Sequence, residues 1–180
     1  GGYRKLLQLI GHEYFHQWNV RRLRPKEHVS YDYCKCKITD SLWFAEGITS
    51  YFDLALPMIC GISSAEEYFE DLSNEITHAF NTPGRKTHSI ADSSRETWIK
   101  LYNSTPASVD TQISYYRFGL LLSFCLDIHL RRLESSLSAL MRSMWSNDRL
   151  LRNGYTREDI KLELSKFDLK LSDILDDWLD

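Results

Sequence analysis

Apolar residues recur every three to four positions along most of the chain, which is the spacing of amphipathic helices. The first such run extends from Tyr3 to Trp18. It predicts a helix whose apolar face contains Leu6, Leu9, Ile10 and Tyr14. Alternation of apolar and polar residues is hard to find, so strands are predicted at most as short pieces near residues 28–38 or 86–91. The pattern therefore predicts a mainly α fold.

Capping signals mark where further helices begin. A second helix is predicted from Asp40, as its N-cap, to about Leu56. A third follows Ser64, which has capping-box spacing with Glu67. The strongest apolar run, residues 114–133, predicts a long helix.

The same signals recur in the second half of the chain. Ser93 and Glu96 repeat the capping-box spacing and predict a helix start there. Near the C-terminus, Thr156 with Asp159 predicts the start of a short helix, and Ser172 is the predicted cap of the last one.

Length and charge narrow the class of protein. A chain of 180 residues and 21.1 kDa fits a single domain, residues 1–180, with one core. Twenty-two basic against 25 acidic residues give a net charge of -3, so a nucleic-acid partner is not predicted. The longest apolar runs are about half of what a bilayer requires, so no membrane span is predicted.

The four cysteines, Cys34, Cys36, Cys60 and Cys125, are too few for a disulfide scaffold. Reduced thiols, and with them a cytoplasmic localisation, are the expectation. A metal site that joins the C-x-C pair to His28 is disfavoured, because no second cysteine pair completes it.

The sequence "HEYFH" in the first predicted helix places two histidines four residues apart. His12 and His16 then lie on one helix face and can bind one metal ion, while Glu13 lies one step round and can face a water on that ion. Zinc bound in this way lowers the pKa of its water towards ~7. The spacing predicts a Zn²⁺ site with Glu13 as general base, against the alternative of a chance coincidence on an ordinary helix.

A third protein ligand is needed, and Glu46 is the favoured residue. It lies in the aromatic-rich segment "LWFAEGITSYF", where a merely solubilising carboxylate is not expected. The other downstream acids considered are Glu27, Asp32, Asp40 and Asp53. Asp53, seven residues after Glu46, is alternatively expected to orient a ligand histidine. The remaining histidines are interpreted as surface or structural residues: His28, His78, His88 and His129.

The segments "HEYFHQWNVRRLRP", "DSLWFAEGITSYFDL", "GRKTHSIADSSRETWIKLY" and "ISYYRFGLLLSFCLDIHLR" together resemble the catalytic domain of the glycyl aminopeptidase family. These are zinc metallopeptidases of the gluzincin type. The resemblance implies a thermolysin-like helical catalytic domain with His12, His16 and Glu46 as zinc ligands and Glu13 as base. It also implies an aminopeptidase that removes small N-terminal residues such as Gly or Ala from peptide substrates.

The resemblance adds Tyr116 as a further catalytic residue. Gluzincin aminopeptidases carry a Tyr-x-Lys-Gly pattern whose tyrosine donates a hydrogen bond to the tetrahedral oxyanion, and Tyr116 precedes Gly119 by three residues. Phe118 replaces the usual lysine and Arg117 lies beside it. The competing interpretation is that Tyr115 and Tyr116 are core aromatics.

Family members also carry a sheet-containing region upstream of the zinc helix and commonly a PDZ-like domain downstream. The resemblance therefore implies that this chain is part of a longer protein. Two alternatives to the aminopeptidase are an endopeptidase on the same site and a helical module that binds peptides without cutting them.

Overall fold

The computed structural model describes residues 2–180, and within them the fold is helical. A single turn of π-helix, Trp43–Gly47 (the π-turn), leads directly into the second α-helix. The α-helices are α1 (Gly2–Phe15), α2 (Ile48–Ile59), α3 (Ala65–Phe80), α4 (Ile90–Arg95), α5 (Ser108–Thr111), α6 (Tyr115–Arg132), α7 (Leu137–Trp145), α8 (Asp148–Asn153), α9 (Arg157–Ser165) and α10 (Leu169–Leu179). The described residues form only isolated β-bridges and no strand, so the mainly α prediction is confirmed.

Two of the predicted capping boxes are formed. The Ser64 side chain accepts a hydrogen bond from the Glu67 backbone, and the Glu67 carboxylate accepts one from the Ser64 backbone. Thr156 and Asp159 make the equivalent pair at the start of α9. Each box satisfies backbone N–H groups that the first helical turn leaves unpaired.

Three predicted caps are wrong. Asp40 does not cap the π-turn, because the N–H of Trp43 donates to Ser94 Oγ instead. Ser89 caps α4, and the predicted cap Ser93 lies inside that helix, where its hydroxyl donates to the backbone carbonyl of residue 113. Asp168 caps α10, which therefore begins before Ser172.

Helix α6 runs through the centre of the core. It lies against the π-turn and against α2, α3, α4 and α7. At its closest crossing, a Cβ on Gly119 would lie 2.6 Å from the carbonyl oxygen of Trp43 and 2.9 Å from the Cα of Gly47. Side chains at positions 47 and 119 would therefore force α6 away from the π-turn.

Helix α1 is attached to the core by only part of its surface. Phe15 stacks on Phe52 of α2 at a centroid distance of 4.6 Å, and Arg4 forms ion pairs with acids of α3. The apolar face predicted from periodicity is exposed instead of buried; Leu9, for example, is 56% exposed. The spacing identified the face correctly, but within residues 2–180 no element covers it.

No helix among residues 2–180 is both long and apolar enough to cross a bilayer.

Candidate metal centre

Helix α1 presents both histidines of the motif on one side. His16 lies one residue beyond the end of the α-helix, but its N–H still bonds the carbonyl of His12 at 3.2 Å. The turn therefore continues, and the two imidazole centroids lie 4.7 Å apart with the rings nearly perpendicular, at 88°. The four-residue spacing has the effect expected from helix geometry.

The π-turn brings Glu46 against both imidazoles. Glu46 Oε2 lies 3.2 Å from the Nε2 atoms of both His12 and His16. One ligand atom from each of the three side chains falls within 4.8 Å of the others, and no other trio of His, Cys, Asp and Glu does so in residues 2–180. The structure thus brings together the three predicted ligands.

The outer nitrogen of each histidine is also engaged. His12 Nδ1 lies 2.8 Å from Asp53 Oδ2, and His16 Nδ1 lies 3.0 Å from the carbonyl oxygen of Asn19. A carbonyl can only accept, so His16 Nδ1 donates this bond, and its Nε2 faces Glu46. Such contacts hold metal-binding histidines in one tautomer and orientation.

The electrostatics fit a cation at this point. Burial disfavours the imidazolium of His12, but hydrogen bonds to Asp53 and Glu46 outweigh burial and raise the pKa of His12 to about 9. Burial likewise opposes ionisation of Glu46, but bonds from the two histidines hold its pKa at about 2. Each Nε2 thus needs a proton to bond this oxygen, because the lone pair of a neutral imidazole would repel it; a metal ion between the three atoms would replace these protons. Two imidazoles and a carboxylate are a donor set suited to zinc.

Asn19 links the histidine turn to the Glu46 segment. It is fully buried, and its Nδ2 donates to the carbonyls of Phe44 and Ala45 at 3.1 and 2.8 Å and to Thr49 Oγ1. These carbonyls lie within the π-turn, where the regular helical ladder is interrupted. Helix periodicity gave no signal of these bonds, because they join residues 25 to 30 positions apart in the sequence.

The two tyrosines of "SYYRFG" have different environments. Tyr115 is 2% exposed and its hydroxyl accepts a bond from Thr97, as a core aromatic would. Tyr116 stacks on Tyr115 at 4.6 Å, and its ring centroid is 6.2 Å from that of His12. Burial and the negative charge of Glu46 raise the pKa of Tyr116. Its phenol therefore stays protonated and able to donate.

A cavity of about 470 Å³ lies beside the metal residues, between α1, α2, α3 and α6. Its lining includes His12, the exposed Glu13, Asp53 and Tyr116. Phe118, which replaces the lysine of the Tyr-x-Lys-Gly pattern, lines a different cavity. The two residues predicted to be catalytic, Glu13 and Tyr116, thus share one solvent-accessible space with His12 and Asp53.

The other candidates lie outside this centre. His88 bonds Glu96 at 3.0 Å and accepts the N–H of residue 113, which is a structural role. Cys34 and Cys36 are exposed free thiols. Among the described residues, none of the four remaining histidines joins a group of metal-ligating side chains.

Comparison with protein families gives an independent result. Residues 5–122, well over half of the chain, match the M61 glycyl aminopeptidase family. This chain belongs to the M61 family. The match covers every predicted site residue of the M61 chain, from His12 to Tyr116.

A solved structure shares the fold of this M61 chain. The aminopeptidase N family protein from Idiomarina loihiensis superimposes with a TM-score of 0.92 at 31% sequence identity, over 98% of this chain. The M61 chain spans 31% of the length of that protein. No curated protein sequence shows significant similarity to the M61 chain. The family match and the structural neighbour agree, because both are aminopeptidase families by description.

Proposed function

We propose that this chain is the catalytic domain of a zinc aminopeptidase that removes small N-terminal residues, such as Gly or Ala, from peptides. One observation carries the proposal: the convergence of His12, His16 and Glu46 beside a cavity that Glu13 and Tyr116 also line. The preference for small residues is inferred from the M61 glycyl aminopeptidase family.

Zinc would be held by the Nε2 atoms of His12 and His16 and by the carboxylate of Glu46. When bound, it supplies Lewis acidity to the attacked carbonyl and to the attacking water. Asp53 and the carbonyl of Asn19 keep the two imidazoles in the required orientation through their Nδ1 atoms.

Glu13 is proposed as the residue that moves the proton. Its side chain adjoins His12 in sequence, lies on the solvent side of α1 and lines the cavity. A carboxylate in this place can accept a proton from water as the carbonyl is attacked and deliver it to the leaving amine. General base catalysis of this kind contributes roughly 10²- to 10⁴-fold to rate.

Tyr116 is proposed to donate a hydrogen bond to the oxygen that becomes negative during attack. The phenol stays protonated because burial and Glu46 raise its pKa. Donors of this kind contribute roughly 3 kcal/mol of transition-state stabilisation. Arg117, the next residue along α6, also lines this cavity and supplies a positive charge there, whereas Phe118 does not line it.

The test combines metal content with peptide hydrolysis. Glu13→Gln should retain about one zinc per chain while hydrolysis of Gly- and Ala-initiated peptides falls by roughly 10²- to 10⁴-fold. Tyr116→Phe should also retain zinc and lose roughly 10²-fold in kcat. The matched control is Glu158→Gln, an exposed glutamate of α9 that does not line the cavity, which should behave as wild type.

Unchanged turnover in Glu13→Gln would contradict the assignment of the base. A panel of free and N-terminally blocked peptides separates the alternatives. Cleavage of blocked peptides at internal bonds would indicate an endopeptidase. Binding without cleavage would indicate a peptide-binding module.

A further inference from the structure

The cavity beside the candidate metal residues contains a second pair of charged side chains. Besides His12 and Glu13 of α1, it is lined by Glu75 of α3 and Arg117 of α6. Its volume of about 470 Å³ lies within the range of roughly 300–1,000 Å³ that small-ligand pockets occupy. The cavity is therefore large enough for a short peptide that reaches from the metal centre to Arg117.

The guanidinium of Arg117 is held from one side. Its Nε donates to Glu75 Oε2 at 2.6 Å, and its side chain is 27% exposed. Within residues 2–180 its other four N–H donors make no hydrogen bond. An arginine fixed through Nε in this way can still donate two parallel bonds from its Nη groups to a planar acceptor.

The acids of the cavity are less available than this cation. Asp53 is bonded to His12 and Glu75 is paired with Arg117. Glu13 is required for proton transfer in the proposed mechanism. A positively charged substrate group would therefore compete with existing partners, whereas a carboxylate would meet unused donors.

We propose that Arg117, positioned by Glu75, binds a carboxylate of the peptide substrate on the leaving-amine side of the cleaved bond. The proposal rests on the proposed peptidase function and specifies its substrate class. That carboxylate is either the C-terminus of a short peptide or an acidic side chain. Tyr116 and Arg117 are consecutive on α6, so the attacked carbonyl and this carboxylate would be recognised from one helix.

Paired peptides test the proposal. Gly-Ala is compared with Gly-Ala-amide, and Gly-Asp-amide with Gly-Asn-amide, in wild type, Arg117→Met and Arg117→Lys. A hydrogen bond to a charged group corresponds to roughly a tenfold to hundredfold effect. We expect wild type to favour the carboxylate member of one pair by that factor in kcat/KM. Arg117→Met should abolish the preference and Arg117→Lys should keep part of it. The pair that shows the effect identifies which carboxylate is bound.

Arg4→Met is the matched control. Arg4 also joins its helix to carboxylates of α3, but it does not line the cavity. Its variant should retain the preference even if stability falls. A preference that survives Arg117→Met, or equal rates within both pairs in wild type, would overturn the proposal and leave the Glu75 pair as a link between α3 and α6.

Binding measurements separate this proposal from the peptidase assignment. If wild type cleaves none of the peptides, the proposed function fails, yet carboxylate recognition is still measurable by calorimetric titration of each pair into the zinc-loaded protein. Roughly tenfold tighter binding of the carboxylate peptide, lost in Arg117→Met, supports the site. Equal affinities would refute it independently of hydrolysis.

Discussion

The contact between Asp53 and His12 offers a quantitative test of the metal centre. The two side chains are 15% and 13% exposed, and the Nδ1–Oδ2 distance is 2.8 Å. Hydrogen bonds to charged groups contribute roughly 1.5–3 kcal/mol, and carboxylates behind a ligand histidine roughly 10- to 100-fold in metal affinity. Asp53→Asn keeps a neutral acceptor and should weaken zinc binding by about tenfold. Asp53→Ala removes the acceptor and should weaken it by about a hundredfold.

Zinc affinity would be measured by competition with a chromophoric chelator at fixed pH. Asp71→Asn is the matched control, because Asp71 also bonds a side chain of α1, Gln8, but no histidine. Circular dichroism would establish that each variant is folded. Equal zinc affinity in wild type and both Asp53 variants would refute the inference that this carboxylate orients the ligand.

Two further predictions concern the stability of the scaffold. Gly119→Ala should lower the free energy of unfolding by about 1–3 kcal/mol, because the added Cβ would clash with the backbone of the π-turn. Gly11→Ala is the control and should not lower it, because the nearest atom to its added Cβ would lie 3.7 Å away. Urea unfolding measures both free energies. Asp127→Asn should cost about 3 kcal/mol, because the buried carboxylate accepts bonds from Tyr51, Arg131 and the backbone of Leu137. Burial opposes ionisation of Asp127, but these bonds hold its pKa below the ordinary 3.8, so its stabilisation is present above that value and is lost as the pH falls through the folded pKa. The deficit of Asp127→Asn should therefore be smaller at roughly pH 3 than at pH 7, and a deficit independent of pH would contradict this account.

Local signals in the sequence predicted local structure well. The capping boxes at Ser64 and Thr156 were correct because both partners lie within three residues of one another. The cap predicted at Ser93 failed because its hydroxyl is used by a carbonyl twenty residues away. Competition of this kind depends on the tertiary fold and leaves no mark on local spacing.

In the candidate site, too, local features could be predicted from the sequence and tertiary contacts could not. Helix periodicity was sufficient to place His12 and His16 together, and Glu46, which was favoured for its aromatic context, lies in the same cluster. The π-turn that carries Glu46 was not predicted, since the segment reads as an ordinary helix. Glu75 was missed entirely, because one acid in the polar face of α3 looks like any other until α6 lies against it.

The exposure of the apolar face of α1 marks a third limit. Periodicity states that one face is apolar, but it does not say which element covers that face. Leu9 and Ile10 are 56% and 55% exposed, although their spacing is that of core residues.

The predicted cytoplasmic localisation remains a prediction.

The crossing of α6 over the π-turn gives two distant sequence patterns a shared physical basis. Gly47 directly follows Glu46, and Gly119 follows Tyr116 by three residues. Because these glycines lie in contact, the glycine of the tyrosine pattern allows the close approach of the Glu46 segment to α6. In a distant relative, we expect Glu-Gly and Tyr-x-x-Gly to be present together or altered together. The joint pattern would therefore discriminate this architecture better than the histidine motif alone.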